Sequence, residues 1–367
     1  MSVSGVAAAE AMQGGAGIGP VDAVIAWVDG SDPAHRARLD ACLRALGQPP
    51  RGGAAPTRFD DAGELEYCIA SLLRFAPWLR RIHVVTAGQV PPVLPRLQAS
   101  AWGERIRLVD HAEIFAGYER FLPTFNSRAI CSMLWRIDGL AERFLYLNDD
   151  FMLLRPLVQS DFFDEDGKVV QRGEWRRQSA HTLAGKARTA VQRLRGTAGG
   201  NAAQPRDSER NAQELSARLA GFDDRYFRLG HTPYPFRRST MRAFFDAHPG
   251  LLERDLEYPF RRAGQFRAEC VSAHLEIAQG NARFDRRLRL AQLKPAEQPA
   301  WRLRRKLRDA DRDGRVAFAC VQSLDMAPAA LRADIVAWLG RRIGTLDAPG
   351  DGRLPAEAPP AGQPALP

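Results

Sequence analysis

Between Val21 and Val158, short apolar and β-branched runs alternate with stretches in which apolar residues recur every three or four positions. A short apolar run bounded by polar or small residues reads as a buried strand, and the three-to-four recurrence as an amphipathic helix. The runs predict strands over residues 23–28, 82–86, 106–109 and 144–147. The recurrences predict helices over residues 33–46, 62–75 and 126–136, the first opened by Asp32 as N-cap with Pro33 in its first turn. In the second helix Leu65, Ile69, Leu72 and Leu73 fall on one face, which assigns that face to the core. Strands alternating with helices predict an α/β fold with a mostly parallel sheet.

Residues 171–221 break the pattern, being rich in Arg, Gln, Ala, Gly and Asn, and predict a mobile or helical insertion. Regular patterning returns over residues 222–347, with helices near 240–247 and 268–279 and a strand near 316–322. Residues 1–20 are mostly Gly, Ala and Ser, and residues 348–367 hold six prolines, so both ends are expected to be disordered tails. No internal repeat is found. A length of 367 residues suits one large domain or two modest ones, with 45% hydrophobic and 26% charged residues, an ordinary globular balance. No run approaches the ~18 apolar residues of a membrane span, and no Lys or Arg precedes Arg36 to begin a signal peptide. A cytoplasmic location is the expectation. The five cysteines are scattered and never spaced CxxC, which favours buried thiols over a disulfide framework or a zinc site.

Charge changes this picture through its location. The net charge is +9, and residues 283–315 hold 12 basic and 5 acidic residues, so most of the excess lies in one stretch. Such a stretch is either a solvated helical face or a surface for an anionic partner: a phosphorylated polymer, an acidic membrane touched peripherally, or nucleic acid. Aromatic residues do not interleave regularly with the basic ones, and the acids within it argue against nucleic acid.

Strands of open α/β sheets deliver ligand-binding groups at their carboxyl ends. The first predicted strand runs into Asp29, Gly30, Ser31 and Asp32, and the fourth into Asn148, Asp149 and Asp150. Adjacent carboxylates repel each other unless a cation lies between them, and a few hard oxygen ligands suit Mg²⁺ or Mn²⁺ shared with substrate phosphates. The alternatives are a helix cap, favoured for Asp32, and a turn at 148–150. In Gly230-His231-Thr232-Pro233-Tyr234-Pro235 two prolines fix the chain beyond a histidine, which is either a general base or a structural hydrogen-bonder. His35, His83, His111, His248 and His274 fall on or beside predicted helices and strands, and His181 in the insertion. The run Phe260-Arg261-Arg262 is either a phosphate clamp or surface. Asp309, Asp311, Asp313 and Gly314 mimic the start of an EF-hand loop, but Cys320 stands where its bidentate Glu is required, and a polar turn is expected instead.

Taken in order, DAVIAWVDGSDP, the block RFDDAGELEYCIASLLRFAPWLRRIHVVTAGQVP from Arg58, LPTFNSRAI, FLYLNDDFML and GHTPYPFRRS resemble the Stealth family of capsular and exopolysaccharide phosphotransferases, relatives of N-acetylglucosamine-1-phosphotransferase. The resemblance implies a glycosyltransferase-A-like nucleotide-sugar-binding fold, with residues 21–170 as the nucleotide-sugar and metal part and residues 222–347 as a second catalytic part. It implies Asp29, Asp149 and Asp150 as nucleotide and metal acids, His231 as the family histidine and Arg262 as the phosphate-binding arginine. Gly30, Arg58, Glu64 and Asn126 follow as donor-side contacts. Gln265-Phe266 stands where an acid often follows the arginine, and Asp325 is the carboxylate available in the last block. The implied reaction is transfer of hexose-1-phosphate from a UDP-hexose to a hydroxyl of a saccharide or polysaccharide acceptor, with Mg²⁺ or Mn²⁺ and release of UMP. The rivals are a metal-dependent glycosyltransferase releasing UDP and a non-enzymatic polyanion-binding protein.

Overall fold

The protein is described from a computed structural model over residues 18–47, 63–182, 208–344 and 346. Arg58 lies outside these residues, as do the predicted tails except for residues 18–20. Along the described chain the strands are β1 (Val21–Ala26), β2 (Ile82–Thr86), β3 (Ile106–Asp110), β4 (Arg143–Asn148), β5 (Phe151–Leu153), β6 (Val169–Gln171), β7 (Gly173–Arg177), β8 (Arg225–Leu229), β9 (Tyr234–Arg237), β10 (Ala282–Phe284), β11 (Arg289–Leu293) and β12 (Val316–Val321).

The central sheet has five strands in the order β3-β2-β1-β4-β9. The first four run parallel and β9 closes the edge antiparallel to β4. β1 reads VDAVIA and β2 reads IHVVT, both buried along almost their whole length, as expected of strands covered on both faces. From β1 the chain builds outward through β2 to β3, then returns to the other side of β1 as β4. That reversal puts the topological switch point between β1 and β4, and ligands of open α/β sheets collect beyond the carboxyl ends of the strands there. The α/β class and mostly parallel sheet are as the sequence predicts.

Helix Glu64–Phe75 buries Leu65, Ile69, Leu72 and Leu73. A second sheet, β11-β12-β5, lies beyond it, and one continuous core joins residues from Ile18 to Ile343. Ile18 is packed into that core, so the predicted N-terminal tail is ordered at its last residues. The expected division at residues 170 and 171 falls inside β6, whose partner is β10.

The insertion expected over residues 171–221 is a strand and a helix in its described part. β7 pairs antiparallel with β8, and helix Glu209–Leu219 buries Ala212, Ser216 and Ala217. A helix that packs through small residues lacks the bulky periodicity by which a core element is recognised, and residues 183–207 lie outside the description. Among the described residues no helix is long and apolar enough to cross a membrane.

Candidate active site

A cavity of about 520 Å³ lies beyond the carboxyl ends of β1, β2 and β4. Trp27 and Val28 extend β1 into it, and Asn148, Asp149 and Asp150 form the turn between β4 and β5. Glu64 enters from the first turn of its helix, and Ser127 and Arg128 from the start of helix Ser127–Met133. His231 follows β8, and Gln322, Ser323 and Asp325 follow β12. Arg261, Arg267 and Glu269 come from the segment leading into helix Ala268–Ala278, and Glu209 from the head of its own helix. Segments far apart in the chain thus converge on one sheet edge.

The wall carries six carboxylates, Glu64, Asp149, Asp150, Glu209, Glu269 and Asp325, against three guanidinium groups, Arg128, Arg261 and Arg267. Among the described residues the wall thus carries more carboxylates than guanidiniums. Part of this is compensated locally. Arg267 pairs with Glu209 and Glu269, donating from Nε to the latter at 2.6 Å. Burial works against ionisation of Glu269, but Arg267 outweighs it and holds that carboxyl below its ordinary range.

Asp150 is placed differently. Its Oδ2 accepts a weak hydrogen bond from Cys320 Sγ at 3.4 Å, while Oδ1 is shut off from solvent and has no hydrogen-bond partner. Burial pushes this carboxyl up to about 6, with Cys320 and Arg261 pulling it back only in part. A buried carboxylate oxygen left unsatisfied is costly and marks a place where something binds. Among the described residues no group of three or more His, Cys, Asp or Glu side chains gathers as a closed metal cage.

His231 is half-buried, its ring edge-on to Phe151 at 6.0 Å, and its Nδ1 is buried without a hydrogen-bond partner. Burial and the nearby Lys294 lower its pKa, which keeps the imidazole neutral at physiological pH. Two further histidines line the cavity, His35 and His111. Burial lowers the pKa of His111 to about 4. The sequence set both aside as residues of a helix and a strand end, a criterion that locates the backbone but not the direction of the ring.

Several expected residues are employed elsewhere. Asp29 Oδ1 accepts the Ser31 N–H at 2.7 Å, and the Gly30 carbonyl accepts from Arg36 Nε at 2.7 Å, so the pair shapes the turn and does not line the cavity. Asp32 caps helix Pro33–Ala45 by accepting the Ala34 N–H at 2.9 Å, as expected. Asn126 caps helix Ser127–Met133, and its amide donates to the Tyr258 carbonyl and to Gln265 Oε1 at 2.9 and 3.1 Å. It is a strut behind the wall. Arg262 is exposed and rests on the Tyr258 ring at 5.3 Å, outside the cavity, whereas its neighbour Arg261 lines it and donates from Nε to Ser127 Oγ at 2.9 Å. Neighbouring residues in an irregular segment face different ways, and no periodicity announces which. Gln265 bridges Asn126 and Asp255 behind the wall, while Glu269, within the predicted helix near 268–279, lines the cavity.

Residues 19–47 match conserved region 1 of Stealth proteins, and residues 58–171 match their conserved region 2. Over these regions the chain is similar to Stealth proteins. An exopolysaccharide phosphotransferase of Streptomyces coelicolor is 45% identical over 148 residues, 40% of this chain and 24% of that protein. A capsular polysaccharide phosphotransferase of Neisseria meningitidis serogroup B is 37% identical over 150 residues, 40% of this chain and 39% of its own. An exopolysaccharide phosphotransferase of Nocardia farcinica is 34% identical over 248 residues, 66% of this chain and 43% of that one. The chain therefore spans between about a quarter and two fifths of the length of these curated relatives. Among solved structures, the galactosyltransferase LgtC with donor and acceptor sugar analogues is similar over 88% of this chain and 96% of that chain, at 14% identity and a TM-score of 0.41. The Stealth match covers the β1 and β4 ends of the cavity, including Glu64, Asp149 and Asp150.

Proposed function

We propose that this protein transfers hexose-1-phosphate from a UDP-hexose to a hydroxyl of a saccharide or polysaccharide acceptor. The observation that carries this reading is the orphaned buried Oδ1 of Asp150 in a cavity at the switch point of the sheet, whose wall among the described residues carries six carboxylates and three guanidiniums. Those carboxylates would repel the donor unless a divalent cation were interposed. Mg²⁺ and Mn²⁺ keep most of their ligands for water and phosphate, so one or two protein carboxylates suffice. The unpartnered buried Oδ1 of Asp150 fits such an ion, with Asp149 and Asp325 as the further acids on the same wall. The cation would supply charge neutralisation of the diphosphate.

The chain's own residues do the rest. In phosphoryl transfer the protein mainly positions the reactants and stabilises charge on the equatorial oxygens. Arg261 and Arg128 offer planar guanidinium donors suited to phosphate oxygens, in the role first expected of Arg262. His231, neutral by burial, accepts the proton of the acceptor hydroxyl as its oxygen bonds to the β-phosphorus. The bond from that phosphorus to the bridging oxygen breaks, and UMP leaves with the bridging oxygen. The product is a phosphodiester between hexose C1 and the acceptor. Asp29 and Gly30 support the donor side through the turn they shape, and Asn126 through the wall it braces. The full reaction takes place in a chain located in the cytoplasm or at the inner face of its membrane.

The test is incubation with a panel of UDP-sugars, an oligosaccharide acceptor and Mg²⁺ or Mn²⁺, separating the nucleotide products. UMP in step with a phosphodiester product is expected. UDP release would make the protein a glycosyltransferase, and no nucleotide release would remove the enzymatic reading.

A further inference from the structure

A second groove lies away from the cavity, where β7, β8 and β10 meet. Its volume is about 350 Å³, and it is lined by Trp175, Phe227, Phe284 and the run Arg283, Asp285, Arg286, Arg287. Three aromatic rings form one wall: Trp175 stands edge-on to Phe227 at 5.5 Å, and Phe227 lies 4.9 Å from Phe284. The Arg225 guanidinium covers the Trp175 ring at 4.6 Å. Phe284 is 44% exposed, and its ring is open to the groove.

The charges on the other wall are held in place and not neutralised. The buried Asp285 is the groove's one carboxylate. It accepts from Arg172 at 3.1 and 3.2 Å, and from the backbone N–H and Nε of Arg287 at 2.9 and 3.1 Å. Its negative charge is thus spent on fixing the loop. Arg283 and Arg286 are exposed, and among the described residues neither pairs with a carboxylate. A groove with one exposed aromatic ring, Phe284, packed on Phe227 and Trp175, and with the unpaired guanidinium forks of Arg283 and Arg286, is complementary to a ring that carries an anionic group. Apolar ring faces pack on aromatic planes, and guanidinium groups take phosphate oxygens in pairs.

We infer that this groove binds the anionic saccharide chain, a segment with a sugar ring against the exposed Phe284, backed by Trp175 and the buried Phe227, and with phosphodiester charges that meet Arg283 and Arg286. For the identity of the chain this rests on the proposed reaction, whose product is a sugar phosphodiester. Connectivity supports it. β8 carries Phe227 in the groove, and four residues further on the chain delivers His231 to the cavity. Four residues of extended chain span at most about 13 Å, so a polymer leaving the groove need travel little to present its end hydroxyl. The basic residues of helix Ala300–Arg312 are a weaker candidate, since Arg304 and Arg305 already pair with Asp334 and Asp309 at 2.7 and 3.6 Å.

The experiment measures the affinity of the full chain, without donor, for a phosphodiester-linked hexose oligomer. A neutral dextran of equal length and a single-stranded oligothymidylate are the controls. The wild type should bind the charged oligomer at least tenfold more tightly than either control. Phe284→Ala with Arg286→Ala should lose at least tenfold in that affinity and raise KM for a polymeric acceptor alike, with turnover on a monosaccharide acceptor unchanged. Equal binding of dextran, tighter binding of oligothymidylate, or unchanged affinity in the double variant would each overturn the inference. Binding that behaves as expected in a protein that releases no UMP would instead retain the groove and remove the proposed reaction.

Discussion

Asp22 and Asp150 sit at opposite ends of the β1–β4 pair, and the contrast between them separates structural from functional acid. Asp22, at the amino end of β1, is fully buried. It accepts from Arg80 Nε and Nη2 at 2.9 and 2.6 Å and from the Ala141 N–H at 2.9 Å, and it lies 3.2 Å from His83 Nε2. Burial would push its carboxyl up, yet these donors hold it well below the ordinary carboxylate range. Asp150, beyond the carboxyl end of β4, has one thiol donor and one orphaned oxygen, and burial pushes it up to about 6. Asp22 lies within the sheet and Asp150 in the turn that leaves it. The fold completes the first and leaves the second incomplete, and an incomplete buried acid is where a ligand is expected.

Exchanging each acid for its amide tests the comparison from both sides. Asp150→Asn should lower turnover by about 10³-fold or more, since a hard charged ligand worth several kcal/mol is lost. Its denaturation midpoint should stay or rise, because the change removes a buried charge with little compensation. Near-normal turnover in this variant would break the comparison. Asp22→Asn should do the reverse, keeping turnover per folded molecule while losing about 3 kcal/mol of stability. That figure is the low end for breaking a buried pair, chosen because Arg80 is 39% exposed. Because its folded pKa is depressed, the contribution of Asp22 is fully present above its unfolded pKa of about 3.9 and is lost as pH falls through the folded value. Urea titrations of the two proteins should therefore differ at neutral pH and begin to converge only as pH falls below about 4.

The same contrast explains what could be read from the chain. The four parallel strands of the central sheet were legible as apolar runs, and β2 has the predicted bounds, residues 82–86, whereas the edge strand β9 falls where the prolines read as a rigid loop. Asp149 and Asp150 were legible because strand ends in such sheets carry ligands, and His231 because prolines frame it. β7 and helix Glu209–Leu219 were not legible, since one is half-exposed and the other buries Ala212, Gln213, Glu214, Ser216 and Ala217 rather than bulky apolar residues. Arg261 was confused with Arg262 because an irregular segment has no period from which to read sidedness. Glu209, Arg267, Glu269, His35 and His111 reach the cavity through long-range packing, and local pattern holds no record of that. Only the spacing Arg267-x-Glu269, an acid and a base near a helix start, offered a signal.

His231 gives the smallest of these effects and sharpens the comparison, since it too has a buried nitrogen left without a partner. As a general base it must be neutral, so the rate should rise with pH through its folded pKa. Burial first, then Lys294, and Arg228 beyond them, move that pKa below the usual 6.5, while Glu269 opposes the shift. The rate should accordingly level off by about pH 7, whereas an imidazolium clamp on phosphate would lose activity over the same range. His231→Gln should lower turnover about a hundredfold, the low end of the contribution of a positioned base. KM for the donor should change little and the acid limb should vanish. Lys294→Met removes the second-largest pressure on the ring, so its acid limb should move to higher pH at unchanged plateau. Asp150 ionises in the same window, and the glutamine variant tells the two apart: an acid limb that persists in His231→Gln belongs to the carboxylate, and the proton acceptor must then be sought among His35, His111 and Asp325.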